Sequence, residues 1–459
     1  MKDLLIIGGG PGGYVAAIRA RQLGMEVSLF EQDKLGGTCL NRGCIPTKAY
    51  YKNAEVLRTM QHLSDYNLRC LDVQFNLSLA KGRKDGIVDK LVTGVDSLLQ
   101  ANGAEVIKGK AEILNQTTVR VNGQEYKGHR ILIASGSESV RLPIPGIDLP
   151  GVVTSTELLD LEELPPRMVI IGAGVVGLEL ACIFNSFGSQ VTVLEAADHI
   201  LGSLDSELTK RMNIFLKRQG ISIHTSCQVQ EIRSFEDHLL VLGRDKKETL
   251  QIETDQVLAA AGRKAATDGL RLDELGIENE RGFIKVDENF ETSVEGIYAI
   301  GDVIGGQMLA HVASEEAIAA VEGMNRMDSH VAYHAVPACI FTFPEIATVG
   351  MSEEQAKQEG IAYKIGKFQF AANGKAMTMG ETDGLVKVIA AQDDTIIGVH
   401  ILGPHASDLI LEATLMVKNH MKVDEIRGTI HPHPTLGESL AEAIMDIKGE
   451  AIHLLPRRK

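Results

Sequence analysis

The chain has 459 residues, with 46 Lys+Arg against 61 Asp+Glu and a formal charge of −15. That balance argues against a surface built for nucleic acid or an anionic membrane. At 44% hydrophobic and 23% charged, with no low-complexity stretch, it is a folded chain of about three domains at roughly 150 residues each.

No apolar run reaches the ~18–20 residues that cross a bilayer, and the N-terminus lacks a charged, apolar, cleavage-site pattern, so a cytoplasmic protein is expected. Forty-six glycines and no Trp suit turns that let helices and phosphates come close to backbone.

The opening apolar run Leu4-Leu5-Ile6-Ile7 predicts a buried parallel strand, followed by the turn Gly8-Gly9-Gly10-Pro11-Gly12-Gly13 and a helix to about Leu23. A second strand, Val27 to Phe30, ends at Glu31. Gly8 permits the tight turn, Gly10 lets a pyrophosphate approach, and Gly13 seats the helix on the strand. Glu31 can accept from a ribose hydroxyl. The unit recurs 164 positions later as Val169-Ile170-Ile171, Gly172-Ala173-Gly174-Val175-Val176-Gly177 and Val191 to Leu194 ending at Glu195. Two dinucleotides are therefore expected. No Arg follows Glu195 to receive a 2′-phosphate, and the carboxylate would repel one by about 1–4 kcal/mol, so the second site should prefer NAD over NADP. His199 reads as a surface residue. The run Gly296 to Ile300 predicts a strand that carries Asp302 to its C-terminal end.

Of six cysteines, only Cys39 and Cys44 are close together, in Gly36-Gly37-Thr38-Cys39-Leu40-Asn41-Arg42-Gly43-Cys44-Ile45-Pro46-Thr47-Lys48. A zinc site would need matching ligands elsewhere, and none has the spacing. Two structural thiols or a redox couple remain. Residues five apart on an ideal helix have Cα atoms roughly 8.6 Å apart, beyond the ~7 Å a disulfide tolerates. A bond would thus require a distorted turn, which Gly43 and Pro46 can supply, and a disulfide there would be easily reduced.

Near the C-terminus stands His431-Pro432-His433-Pro434-Thr435-Leu436-Gly437-Glu438. An imidazole held by a carboxylate is suited to moving a thiol proton at neutral pH. Thr435-x-x-Glu438 also reads as a capping box, and one carboxylate is not expected to serve both roles fully.

With these motifs in view, the sequence resembles the first class of FAD-containing pyridine nucleotide–disulfide oxidoreductases. The resemblance runs from residue 3 to the C-terminal segment. It implies an α/β fold of two Rossmann-like dinucleotide-binding domains plus a C-terminal α+β dimerisation domain. It divides the chain into residues 1–143 for FAD, 144–263 for NAD, 264–332 as a central domain completing the FAD site, and 333–459 as the interface domain. It assigns Gly8, Gly10, Gly13, Glu31, Gly37, Thr38, Lys48, Ala111, Gly136, Asp302 and Ala310 to FAD. Gly172, Gly174, Gly177, Glu195, Val229 and Gly262 fall at its nicotinamide-nucleotide positions. Cys39 and Cys44 become the redox disulfide, His433 and Glu438 the acid–base pair serving a neighbouring subunit, and Lys48 with Glu179 an ion pair beside the flavin. His431 is left as a loop residue.

Within the family, Leu436, Ile45-Pro46-Thr47-Lys48 and Glu195 resemble the branch that oxidises protein-bound dihydrolipoyl groups. The implied partners are a second copy of the chain and a lipoylated carrier protein of a 2-oxoacid dehydrogenase complex or glycine cleavage system. Gly437 and Arg42 depart from that branch's usual Ser and Val. Glutathione-type reductases and a non-catalytic redox sensor are the alternatives. The ending Leu454 to Lys459 carries no cysteine pair of the mercuric reductase kind.

Overall fold

The computed structural model describes residues 1–245 and 248–455; the last four residues of the C-terminal run discussed above lie outside it. The first unit is a seven-stranded sheet. At its centre Lys2–Ile7 pairs in parallel with Val27–Glu31 on one side and Gln124–Ile133 on the other. Glu105–Lys108 extends it beyond Val27–Glu31. Ile297–Ala299 pairs in parallel with Gln124–Ile133, so a strand from late in the chain completes the early sheet. Leu4, Leu5 and Ile6 are fully buried, as a strand covered on both faces requires.

The second unit repeats this core. Arg167–Ile171 lies between Gln190–Leu194 and Gln256–Ala259 in a five-stranded parallel sheet. The three-stranded antiparallel layer Gln228–Ser234, Leu239–Arg244 and Thr249–Thr254 stands beside it. A two-stranded ribbon, Ser137–Ser139 against Arg263–Ala265, marks where the chain leaves the first unit and returns to it.

From Ala338 onward the sheet is antiparallel, built from Ala338–Ile340, Glu345–Gly350, Ile396–Gly403, Leu385–Ala391 and Tyr363–Gln369. A hairpin closes around Asp393-Asp394, with Asp394 at φ 70° in the turn. Helices Ala406–Lys418 and Glu438–Asp446 cover this sheet with buried faces that include Ile410, Ala413, Leu440 and Ile444.

An ionic cluster joins the second unit to this sheet. Lys387, 1% exposed, places Nζ 3.0 and 2.8 Å from the two oxygens of fully buried Asp205, and 2.8 Å from Glu353. His400, in register opposite Lys387, is buried with Nε2 2.8 Å from the Met351 carbonyl. Among the described residues no helix is long and apolar enough to cross a membrane.

Candidate active site

The two glycine turns have the same construction. Gly8 N–H donates to the Phe30 carbonyl at 2.8 Å, and Gly172 N–H to that of Leu194 at 2.8 Å. Gly8 has φ 104° and Gly172 φ 109°, in the region that favours glycine. A Cβ on Gly13 would lie 1.7 Å from the Gly8 oxygen, and one on Gly177 would lie 2.1 Å from the Gly172 oxygen. The third glycine of each turn thus seats its helix. Gly10 and Gly174 cap the helices Pro11–Gln22 and Val175–Phe187 without a side-chain hydrogen bond. Their first N–H groups therefore remain available to an anion.

Around the first turn, two buried polar atoms have no protein partner, Ser135 Oγ and Asn41 Oδ1. Gly37, at φ 55°, packs so closely that a Cβ there would meet Gly10 Cα at 2.8 Å, which brings Thr38 and Cys39 to the turn. Gly136 has φ 74° with open space where a Cβ would stand. Ala111 is buried at the start of Ala111–Asn115, two residues past Gly109, whose N–H bonds the Glu31 carbonyl at 2.8 Å. Ala310 opens the helix Ala310–Met324, which packs on Pro11–Gln22. Asp302 lies three residues past the strand Ile297–Ala299, in the short 3-10 helix Gly301–Ile304, and accepts from the Ser137 hydroxyl. Free N–H groups, orphaned polar atoms and glycine cradles together fit FAD.

A cavity of about 910 Å³ opens over the second turn and brings Gly172, Gly174, Glu195, Val229 and Gly262 together. Gly177 lies behind it, in the helix–strand contact. The cavity suits a nicotinamide dinucleotide. Arg263, which sequence reasoning passed over, also lines it. Its side chain donates to Ser137 Oγ at 2.7 Å and to the Ser137 carbonyl at 2.6 Å, tying this cavity to the Asp302 side of the first site. Its position directly after Gly262 was the available signal.

Cys39 lies in the helix Gly37–Arg42 and Cys44 begins the helix Cys44–Gln61, with Gly43 between them at φ −136°, ψ −109°. A Cβ on Gly43 would meet the Thr38 oxygen at 2.9 Å. The distortion expected of Gly43 and Pro46 together is therefore Gly43's alone. Pro46 sits buried in the regular first turn, where its missing N–H costs nothing.

Cys39 and Cys44 are free thiols on either side of that break. Interaction with Cys44, followed by burial, pushes the Cys39 thiol up. Interaction with Cys39, opposed by burial and aided by Lys48, brings Cys44 down to about 7. The helix N-terminus favours the thiolate in the same direction. Tyr14 stands on the Cys39 side, its phenol raised by burial and then by that thiol.

Beside the couple, Lys48 Nζ lies 3.0 and 2.8 Å from the two oxygens of Glu179. Glu179, 4% exposed, also accepts the Phe341 backbone N–H at 3.0 Å, and Lys48 Nζ sits 4.4 Å from the centroid of the Phe341 ring. One ion pair thus meets three parts of the fold where the two nucleotide units adjoin.

The histidine pair is elsewhere. His433 Nδ1 is 2.9 Å from Glu438 Oε1, while Glu438 Oε2 accepts the Thr435 N–H at 2.9 Å. One oxygen of Glu438 thus takes the imidazole and the other the Thr435 N–H, so that only half of a capping box forms beside the histidine pair. The full capping box is absent, since the helix begins at Glu438 and Thr435 Oγ1 turns to the Pro432 carbonyl. His431 is a loop residue as expected, but its Nε2 pairs with Glu412 at 3.0 Å. His199 is exposed and pairs with Asp198. Among the described residues no hydrogen bond or ion pair links His433 to either cysteine, and 77% of its side chain is exposed. No group of three or more His, Cys, Asp or Glu among those residues is placed to hold a metal ion.

Known proteins share this arrangement. Residues 2–317 match the family described as pyridine nucleotide-disulphide oxidoreductase, and residues 336–444 match that family's dimerisation domain. The dihydrolipoyl dehydrogenase of Bacillus subtilis (strain 168) is 42% identical over 98% of this chain and 99% of its own length. The mitochondrial dihydrolipoyl dehydrogenase of Pisum sativum is 40% identical over 99% of this chain and 93% of its own. Among solved structures, the HOCl-induced flavoprotein disulfide reductase RclA from Escherichia coli superposes with a TM-score of 0.87, at 31% identity over 96% of this chain and 99% of its own. The chain belongs to the pyridine nucleotide-disulphide oxidoreductase family. It is a flavoprotein disulfide oxidoreductase that uses FAD and NAD.

Proposed function

We propose that this chain oxidises the dihydrolipoyl group of a lipoylated carrier protein to the cyclic disulfide, with NAD+ as final acceptor, as a homodimer in the cytoplasm. The observation that carries the reading is the placement of Cys39 and Cys44 on either side of the Gly43 break, beside the Lys48–Glu179 pair. Full-length similarity to dihydrolipoyl dehydrogenases, bacterial ones among them, supports the substrate class and the compartment.

His433, oriented through Nδ1 by Glu438, takes a proton from one substrate thiol at Nε2. The resulting thiolate attacks Cys39 Sγ of the oxidised couple, the Cys39–Cys44 bond breaks, and Cys44 leaves as a thiolate favoured by Lys48 and the helix N-terminus. The second substrate thiol attacks the lipoyl sulfur of the mixed disulfide, the lipoyl disulfide departs, the Cys39 thiolate takes the proton held on His433, and His433 takes the proton of the second thiol, so that it ends as the imidazolium. When bound, FAD supplies a two-electron acceptor for the dithiol and NAD+ a hydride acceptor beyond it. Exposure of His433, and the dimerisation domain that carries it, support a site completed by the partner subunit.

Gly8, Gly10, Gly13, Glu31, Gly37, Thr38, Ala111, Gly136, Asp302 and Ala310 would hold FAD, and the five cavity residues with Gly177 would hold NAD. The parallel pairing of Ile297–Ala299 with Gln124–Ile133 supports grouping residues 264–332 with the first unit.

The test mixes purified flavoprotein with dihydrolipoamide and NAD+, then with glutathione disulfide and NADPH. Stoichiometric NADH from the first mixture, with no NADPH consumed in the second, is expected. Turnover confined to the second would replace this reading with a glutathione-type reductase.

A further inference from the structure

The C-terminal segment repeats, one helical turn along, the arrangement made by His433 and Glu438. Glu442 follows Glu438 by four residues on Glu438–Asp446, and therefore shares its face. Its Oε1 lies 2.9 Å from His453 Nδ1, and its Oε2 accepts the His453 backbone N–H at 3.0 Å. Glu438 divides its oxygens the same way, between His433 Nδ1 and the Thr435 N–H. In both dyads a shielded carboxylate, 30% and 15% exposed, fixes an imidazole that is 77% and 71% exposed. In both, Nε2 is the ring atom the carboxylate leaves free. The proposed reaction uses only the first.

We propose that Glu442 and His453 form a positioning dyad that sets the charge beside Glu438, and so the pH at which His433 takes a proton from the dithiol. This rests on the reading of His433 as the base. With His453 protonated the dyad is neutral; with His453 neutral it places one negative charge a helical turn from Glu438. That charge favours an imidazolium at His433. Glu438 is itself held below the usual carboxylate range, by the Thr435 N–H first, then by His433, with His453 adding to the effect.

Among the described residues, the other ionisable groups packed around this helix are engaged elsewhere. On the strand Tyr363–Gln369, Tyr363 bonds Glu353, Lys364 holds Asp394 and Lys367 holds Glu207. On Leu385–Ala391, Lys387 holds Asp205. Asp446 accepts the Lys367 backbone N–H, Lys448 holds Asp394 and Asp424, and Glu450 holds Arg427. His431 holds Glu412. Among the described residues this leaves His453 as the group that balances Glu442.

The test compares wild-type holoenzyme with His453→Gln and Glu442→Gln through two pH profiles. One is kcat/KM for dihydrolipoamide oxidation. The other is the rate of diethylpyrocarbonate modification at His433, read by peptide mass mapping and independent of turnover. His453→Gln leaves the Glu442 charge unbalanced and should move the acidic limb of both profiles up by about 0.3–0.7 pH unit. Glu442→Gln should move both down by a similar amount, and His453→Lys, which keeps a cation at Glu442, should cancel the upward shift. Shifts of the same sign in the two Gln variants, or lower thermal stability with both profiles unmoved, would overturn the proposal and leave the dyad a tether for the tail. Absence of dihydrolipoamide turnover in the wild type would count against the substrate reading alone, because His433 modification is still measured.

Discussion

Glu31 and Glu195, 164 positions apart in the sequence, make the same pair of hydrogen bonds. Glu31 accepts the Gly9 N–H at 2.7 Å and the Asp33 N–H at 2.7 Å; Glu195 accepts the Ala173 N–H at 2.6 Å and the Ala197 N–H at 2.7 Å. Each carboxylate is thereby pinned at the lip of its glycine turn before any nucleotide arrives.

A pinned carboxylate at Glu195 cannot swing away from a 2′-phosphate. The wild type should therefore favour NADH over NADPH by at least about tenfold in kcat/KM, within the 1–4 kcal/mol that a nearby like charge supplies. Glu195→Ala should erase most of that preference. Steady-state kinetics with both nucleotides checks this, and an unchanged ratio in the variant would remove the role assigned to Glu195.

The depressed Cys44 thiol makes a second expectation. In the dithiol state, iodoacetamide labelling of Cys44, followed by mass spectrometry, should rise with a midpoint near pH 7 rather than at the ordinary thiol value of 9.0. Lys48→Met removes a cation that favours the thiolate and should move the midpoint upward. Cys44→Ser should abolish dithiol turnover while the protein remains yellow.

For the acid–base pair, His433→Ala should slow dithiol oxidation by about 10²–10⁴ with little change in bound flavin. Glu438→Gln keeps the hydrogen-bonding shape but loses the charge, and should fall between wild type and His433→Ala. Stopped-flow reduction by dihydrolipoamide measures the step directly. A loss below about threefold in His433→Ala would show that another group moves the proton.

The interdomain cluster carries a stability prediction. Lys387→Met strands Asp205 and should cost about 3–5 kcal/mol, the usual penalty for breaking a buried pair from one side. Lys367→Met, at a partly exposed pair, should cost under about 1 kcal/mol. Against the desolvation that raises it, hydrogen bonds from Lys357 and Lys387 hold Glu353 down to about 2 from 4.5. A depressed carboxylate supports the fold above its unfolded value and withdraws that support as pH falls through its folded value. Wild-type stability should therefore decline from pH 4.5 toward about 2, and Lys387→Met should flatten that decline. Urea melts across that range test both statements.

Both glycine turns were readable because each is a local pattern with its own physical cause. The Gly43 break was half readable: two residues that disturb helices stood together, and only packing against the Thr38 carbonyl decides which one acts. The division of labour in Glu438 was hidden, since spacing reveals that a carboxylate can reach a backbone N–H but not that its other oxygen stays free. The union of Lys387 with Asp205, 182 residues apart, leaves no trace in either neighbourhood, because a lysine in an apolar strand looks like an edge residue until another domain covers it.

The late arrival of Ile297–Ala299 at the edge of Gln124–Ile133 has a consequence for synthesis. A nascent chain leaving the ribosome completes the nicotinamide sheet, whose last strand is Gln256–Ala259, before the flavin sheet has its final strand. Until then residues 131–133, at the end of Gln124–Ile133, present an unpaired edge, the kind of surface that recruits foreign strands. Translation stalled in that interval would release an aggregation-prone fragment, even though one of its two halves is already fully knit.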